Sequence, residues 1–269
     1  MPVIWLLILL FLVNPGQPGS SYAAAADGGN LEELRYRVDL GPMNDVAQVR
    51  LRLTQVAPER YRAVFDGAAQ GVWNLLNRWL PESYETDMAL EAGRLKPLVF
   101  REKFRAKGHD IRKEYRFNYA QGLLQVWRGV DGKEPVKSWQ APLPGPVYDP
   151  LSLFYNLRMG TFGPLEAGQT LRVAAIPTPE PQEMVLRIGP ETSRGRKIML
   201  EVVAKGAKSE ARPYYIFCTP QLVVQQAWTR VLGFGKLSGQ LLNPGEIMED
   251  GLPGLPKLSL NSSDMKLRN

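Results

Sequence analysis

The sequence predicts an all-β fold: one large curved antiparallel sheet, or incomplete β-barrel meander, with one or two short plugging helices. Three observations carry that expectation. Apolar and polar residues alternate with period two through most of the chain, as where Leu34, Tyr36, Val38 and Leu40 interleave with Arg35, Arg37 and Asp39. The alternating runs are short and are separated by clusters of Gly, Pro, Asn and Asp, which is hairpin punctuation. One stretch breaks the alternation: Asp149-Pro150-Leu151-Ser152-Leu153-Phe154-Tyr155-Asn156-Leu157-Arg158, closed by Met159-Gly160. Asp149 is an N-cap residue, Pro150 suits the first helical position, and Gly160 can take the left-handed C-cap conformation. Leu151, Phe154, Tyr155 and Arg158 share a face, with Leu153 and Leu157 beside them, so most of this helix's circumference calls for burial.

At the start of the chain, an uninterrupted apolar run from Val3 to Val13 is followed by Asn14-Pro15-Gly16 and the small residues around Ala23-Ala24-Ala25-Ala26. The run falls short of the roughly 20 residues that a spanning helix needs, and the Ala-x-Ala pattern offers a cleavage site, so residues 1–26 read as a secretory signal peptide. Retention as an N-terminal anchor is the alternative to cleavage; one feature departs from the usual pattern, in that no Lys or Arg precedes the run. The expectation is a periplasmic or secreted protein with no transmembrane segment after cleavage, a single domain over 27–242, and a Gly-, Pro-, Ser- and Asn-rich disordered tail over 243–269.

Strands are expected over Leu34–Leu40, Val49–Thr54 and Tyr61–Phe65, an antiparallel meander. Residues Gly71–Leu80 space Trp73, Leu76 and Leu80 for a second helix, ended by Pro81, although a strand entering at Ala69 fits as well. Strand patterns resume at Tyr84–Leu90, Leu98–Phe104, Ile111–Tyr119 and Leu123–Arg128, and the proline-rich stretch Asp131–Pro146 reads as an ordered loop leading to the helix. Beyond the helix come Thr170–Ile176, Met184–Ile188, Ile198–Val203, Pro213–Cys218, Leu222–Trp228 and Phe234–Leu242.

Residue counts narrow the chemistry. One histidine, His109, and one cysteine, Cys218, exclude a His- or Cys-based zinc set and any intramolecular disulfide, and a Ser-His-Asp triad would have to use His109, which lies in a turn. Cys218 sits in the apolar run Tyr214-Tyr215-Ile216-Phe217 and reads as a small buried hydrophobe. No phosphate-binding glycine loop is present, so no cofactor is expected. Glu85 with Asp87, and Glu102 with Glu114, are the carboxylate pairs to weigh, and both read first as partners for neighbouring Arg and Lys. The net charge of +6 is either a solvated outer face or attraction to acidic lipid or polysaccharide of an envelope; a nucleic-acid partner is not expected outside the cytoplasm. Basic residues crowd one region, giving Arg101, Lys103, Arg105 and Arg112 as a candidate basic face.

Several stretches together resemble a known family. Leu34-Arg35-Tyr36-Arg37-Val38, the aromatic segment around Gly71, Tyr84-Glu85-Thr86-Asp87, Gly93-Arg94-Leu95-Lys96-Pro97-Leu98 and the Asp149–Arg158 helix resemble the bacterial exported family catalogued as domain of unknown function 3108. The resemblance implies a strongly curved sheet or incomplete barrel in the periplasm, similar in outline to envelope proteins of lipoprotein sorting and capsule export, and it brings no catalytic residues. The leading functional expectation is a non-catalytic envelope protein whose curved sheet binds or escorts a lipid or other amphiphile in an apolar concavity. Candidate ligand contacts are Trp73, Trp79, Trp127, Leu151, Phe154 and Tyr155, with Trp139 nearby. The alternatives are an adaptor for an envelope protein partner, and a secreted carboxylate-dependent hydrolase.

Overall fold

Alternation in the sequence becomes a single antiparallel sheet because each half-buried strand needs a neighbour for its backbone groups and a partner for its apolar face. The computed structural model describes residues 29–69, 81–106, 108–143, 145–176, 181–192, 195–203, 213–219, 223–231 and 235–243. The strands are β1 (Asn30–Leu40), β2 (Met43–Ala57), β3 (Arg60–Ala69), β4 (Pro81–Glu91), β5 (Arg94–Ala106), β6 (His109–Asn118), β7 (Leu123–Val130) and β8 (Val136–Pro142). Helix α1 (Pro150–Arg158) follows, and then β9 (Thr170–Ala175), β10 (Gln182–Thr192), β11 (Gly195–Val203), β12 (Tyr214–Cys218), β13 (Val224–Val231) and β14 (Gly235–Asn243). The predicted leader, the expected Gly71–Leu80 helix with Trp73 and Trp79, and the tail beyond Asn243 lie outside the described residues.

The fourteen strands form one sheet in the order β8-β7-β6-β5-β4-β3-β2-β1-β14-β13-β12-β11-β10-β9. Two meanders therefore meet at the β1–β14 pair, in the middle of the sheet, with Val38 opposite Gly239 and Leu40 opposite Leu237. The edges are β8 and β9, and the sheet does not close into a barrel. It does curl. Laid flat, fourteen strands would span about 60 Å, yet Tyr148, only six residues after Pro142, pairs with Ala175 on the opposite edge. The Tyr148 N–H donates to the Ala174 carbonyl at 2.9 Å, and the Ile176 N–H donates to the Tyr148 carbonyl at 3.0 Å.

Two expectations need correction. Residues Asp131–Pro146 are not wholly loop, because β8 lies within them; Pro135 and Pro142 bracket it and five of its seven residues are exposed, which is the composition of a blunted edge and hides a strand from pattern reading. Strand β5 begins at Arg94 rather than Leu98, since Ala92 and Gly93, with φ of 49° and 74°, make a two-residue hairpin with β4.

Helix α1 lies inside the curl and packs against β3, β4 and β5. All nine of its residues are buried. Burying side chains such as Leu151, Leu153 and Phe154 stabilises the fold by about 1.5–3 kcal/mol each. On the inner face of the sheet, the one that looks toward the helix, Phe65, Tyr84, Phe100 and Tyr115 form a continuous aromatic row across four strands, with successive ring centroids 6.3, 5.5 and 5.4 Å apart.

Candidate functional site

The helix is fixed at three points, each by a residue whose type is dictated by a backbone or charge requirement. At its N-terminus the Asp149 carboxylate accepts from the N–H groups of Leu151 and Ser152, while Ser152 Oγ takes the Asp149 N–H, a reciprocal cap. Thr86 Oγ1 of β4 donates to the same carboxylate at 2.7 Å, so the cap is also a tie to the sheet. Burial raises the Asp149 pKa above its ordinary value, against the lowering effect of these donors. In the middle, Asn156 reaches β5: its Nδ2 donates to the Leu95 carbonyl at 2.7 Å and its Oδ1 accepts the Leu95 N–H at 3.0 Å. Strand β6 pairs with β5 only from Val99 onward, so without Asn156 these Leu95 groups would face no ladder partner.

At the C-terminus, Arg158 forms a two-pronged ion pair with Glu32 of β1, at 2.5 and 2.7 Å, with both side chains 1% exposed. The guanidinium also lies over the Phe154 and Tyr155 rings. Burial first, with Glu32 adding to it, pushes the Tyr155 hydroxyl well above its ordinary pKa; Tyr36, beside the same pair, is also raised by burial. Gly160, at φ 69°, ends the helix as its sequence position requires. Four of the stretches that carried the resemblance thus converge on α1: Tyr36, Thr86, Leu95 and the helix itself.

Beside this junction is an opening of about 310 Å³. Leu95, Pro97, Pro146, Tyr119 and Tyr148 give it apolar and aromatic walls, and Arg94, Lys96 and Glu91 supply its charges. Lys96 is held in place by Glu91 at 2.8 Å and lies 4.1 Å from the centre of the Tyr119 ring. Arg94 hydrogen-bonds Tyr148, which partly offsets the rise that burial gives the Tyr148 hydroxyl. The Tyr119 hydroxyl is buried with no hydrogen-bond partner.

Of the residues expected from sequence to line an apolar concavity, none of the described ones lines this opening. Leu151, Phe154 and Tyr155 are packed core, 2%, 7% and 0% exposed, and none of them lines the opening. Trp127 faces away from the helix, opposite Glu114 in the β6–β7 ladder, with the Arg116 guanidinium 4.4 Å from its ring centre. Trp139 is on the edge strand β8.

The basic face is largely neutralised: Arg101 binds Glu85 and Asp87 at 2.7 Å and Glu114 at 3.4 Å, and Arg105 binds Asp110 at 2.8 Å. Lys103 and Arg112 stand directly opposite each other in the ladder and each has its own interactions. Glu85 and Asp87, one of the carboxylate pairs, are bridged by Arg101. The members of the other pair point to opposite faces, since Glu102 pairs in register with Lys113 and Glu114 with Arg101.

His109 is exposed and bonds Asp131 at 2.7 Å, this hydrogen bond holding the Asp131 carboxyl below its usual range; among the described residues no Ser, Thr or Cys bonds it. Cys218 is buried, and burial pushes its thiol up to about 11. The residues that sequence reading missed are Arg94, Lys96, Tyr119 and Tyr148. The turn at Gly93 and the position of Tyr148 beside the helix cap were visible, but their meeting depends on the curl of the sheet.

The sequence profile of the family described as "Protein of unknown function (DUF3108)" matches residues 35–186, more than half of the chain, and the chain belongs to that family. Among solved structures the chain is similar to the crystal structure of a β-barrel-like protein of domain of unknown function DUF1849 from Brucella abortus. That likeness has a TM-score of 0.49 and 8% identity and covers 81% of this chain and 98% of that one. No curated protein matches. Among the described residues no helix is long and apolar enough to cross a membrane.

Proposed function

We propose that this member of the DUF3108 family is a non-catalytic protein of the cell envelope that holds the head of an anionic amphiphile in the Tyr119–Tyr148 opening. The observation that carries the reading is the composition of that opening, where aromatic and proline walls meet two cations against one carboxylate. At about 310 Å³ the space suits one head group or one ring and not a whole lipid, so acyl chains would stay outside. The export signal read in residues 1–26 supports the envelope location, and the engagement of Glu85, Asp87, Glu102 and Glu114 in pairs with cations supports a binding role over carboxylate catalysis. Over β3, β4 and β5 the inner face of the sheet is covered by α1, so the amphiphile reading moves to the opening beside the helix.

Native mass spectrometry of the protein recovered from a bacterial periplasm without detergent tests it. The expected result is added mass that organic solvent removes, reduced when the exposed Arg94 is replaced in Arg94→Glu. A clean mass for the wild-type protein, or equal added mass in the variant, overturns the assignment and favours the adaptor reading.

A further inference from the structure

The outer face of the sheet is divided. Across β2–β6 its arginines meet carboxylates at close range: Arg50 and Arg52 share Asp66, Arg62 takes Asp87, and Arg101 takes three acids. Across β12, β13 and β14 the strands contain no Asp or Glu at all. On this half the rings of Tyr215 and Trp228, directly opposite each other in the ladder, stack with centroids 5.4 Å apart and planes 20° from parallel. Lys197 places its ammonium 4.3 Å from the centre of Tyr215 and 5.7 Å from that of Trp228, and Lys236 lies 5.3 Å from the centre of Trp228. Neither lysine has a carboxylate partner among the described residues. Phe217 is half-buried and, opposite Lys197 in the ladder, extends the same face, which is turned away from the core residues Ile216 and Ala227.

We infer that this face docks on an anionic lipid surface. Tyr and Trp are the side chains that sit well at the boundary between head groups and acyl chains, because their rings are apolar and their polar atoms want water. Lysine places a charge at phosphate level while its stem covers apolar surface. Charge complementarity selects the partner, since Lys197 on β11 and Lys236 on β14 have no carboxylate partner among the described residues and β12, β13 and β14 contain no Asp or Glu. An acidic saccharide fits less well. Sugars bind aromatic platforms through the ring faces, and here those faces already carry ammonium groups. A lipid phosphate needs only the ammonium N–H donors, which remain available over a ring.

The inference is independent of the Tyr119–Tyr148 opening, and a test can separate them. The full-length protein is co-sedimented with vesicles of phosphatidylcholine alone and of phosphatidylcholine mixed with phosphatidylglycerol. Residues 1–26 carry no charged side chain, so whatever part of them is retained contributes equally to both vesicle types. Wild-type protein is expected to prefer the anionic vesicles and to lose that preference as salt rises. Lys197→Gln with Lys236→Gln is expected to weaken anionic binding on the order of 30-fold, from about fivefold per lysine, while Lys137→Gln, on the edge strand β8 and outside both sites, leaves it unchanged. Both lysines are exposed, and matching circular dichroism melts confirm the fold. Equal binding to the two vesicle types, an unaffected double lysine variant, or retention on an acidic polysaccharide column without vesicle binding would each overturn the inference.

Discussion

The carboxamide of Asn156 occupies, at the open end of β5, the place in the ladder beside Leu95 that a residue of β6 would otherwise take. One planar group supplies both a donor and an acceptor at strand geometry, so the helix is joined to the sheet as though it were briefly another strand. Replacement by Leu keeps the volume and leaves the Leu95 N–H and C=O buried without partners. The expected cost is about 3 kcal/mol in urea denaturation at unchanged m-value. A loss under about 1 kcal/mol would show that those groups find other partners.

The Glu32–Arg158 pair should behave asymmetrically. Arg158→Met alone strands a buried carboxylate and is expected to cost about 3–5 kcal/mol. Adding Glu32→Leu removes the stranded charge, and the double variant is expected to regain most of the loss. A double-mutant cycle gives the coupling directly; additive losses would mean that Glu32 is stabilised by something other than Arg158.

Glu102 gives a pH signature. Its side chain is 11% exposed, and burial raises its pKa above 4.5, with Lys113 and the Tyr115 hydroxyl only partly opposing. Between 4.5 and the raised value the folded protein holds a proton that the unfolded chain releases, so wild-type stability falls as pH rises through that window. Glu102→Gln has no such window. The stability of the variant minus that of wild type should therefore increase with pH from 4.5 upward and then level off, as read from denaturation curves at several pH values. A difference that is flat with pH would remove burial as the dominant influence on Glu102.

Two glycines should respond very differently to alanine. A Cβ on Gly195, at φ +123°, would sit 2.2 Å from the Cys218 carbonyl oxygen, so Gly195→Ala must push β11 away from β12. A Cβ on Gly93, at φ +74°, meets nothing within 4 Å, leaving only the backbone penalty. The expected losses are roughly 3 kcal/mol or more at Gly195 and about 1 kcal/mol at Gly93, measured by thermal melts. Similar losses at both would mean that β12 can shift.

The local signals in the sequence were strong where local chemistry decides. Asp149, Pro150 and Gly160 placed α1 to the residue, and alternation placed the cores of most strands. Strand β8 escaped because an edge strand buries little and its prolines mimic a loop. The site was less legible. Arg158 could be assigned to a face, but its partner Glu32 lies 126 residues away and could be reached only through the sheet order. The basic cluster around Arg101 looked like a face in one dimension, and the cross-strand register supplied the acids that neutralise it. Trp127 was assigned inward by its type alone, and the ladder put it outward, beside Arg116.

The pairing of β1 with β14 also sets a timetable. Arg37 on the first strand bonds Gln240 on the last, 203 residues later. A chain emerging from its N-terminus, at a ribosome or a translocation channel, can zip β2 through β8 locally, yet one flank of β1 stays unpaired until nearly everything has emerged. Contacts that span so much sequence form slowly, because loop closure must precede their reward. Until then the exposed flank is a template for other strands, so the interval before β14 arrives is when this protein most needs a chaperone.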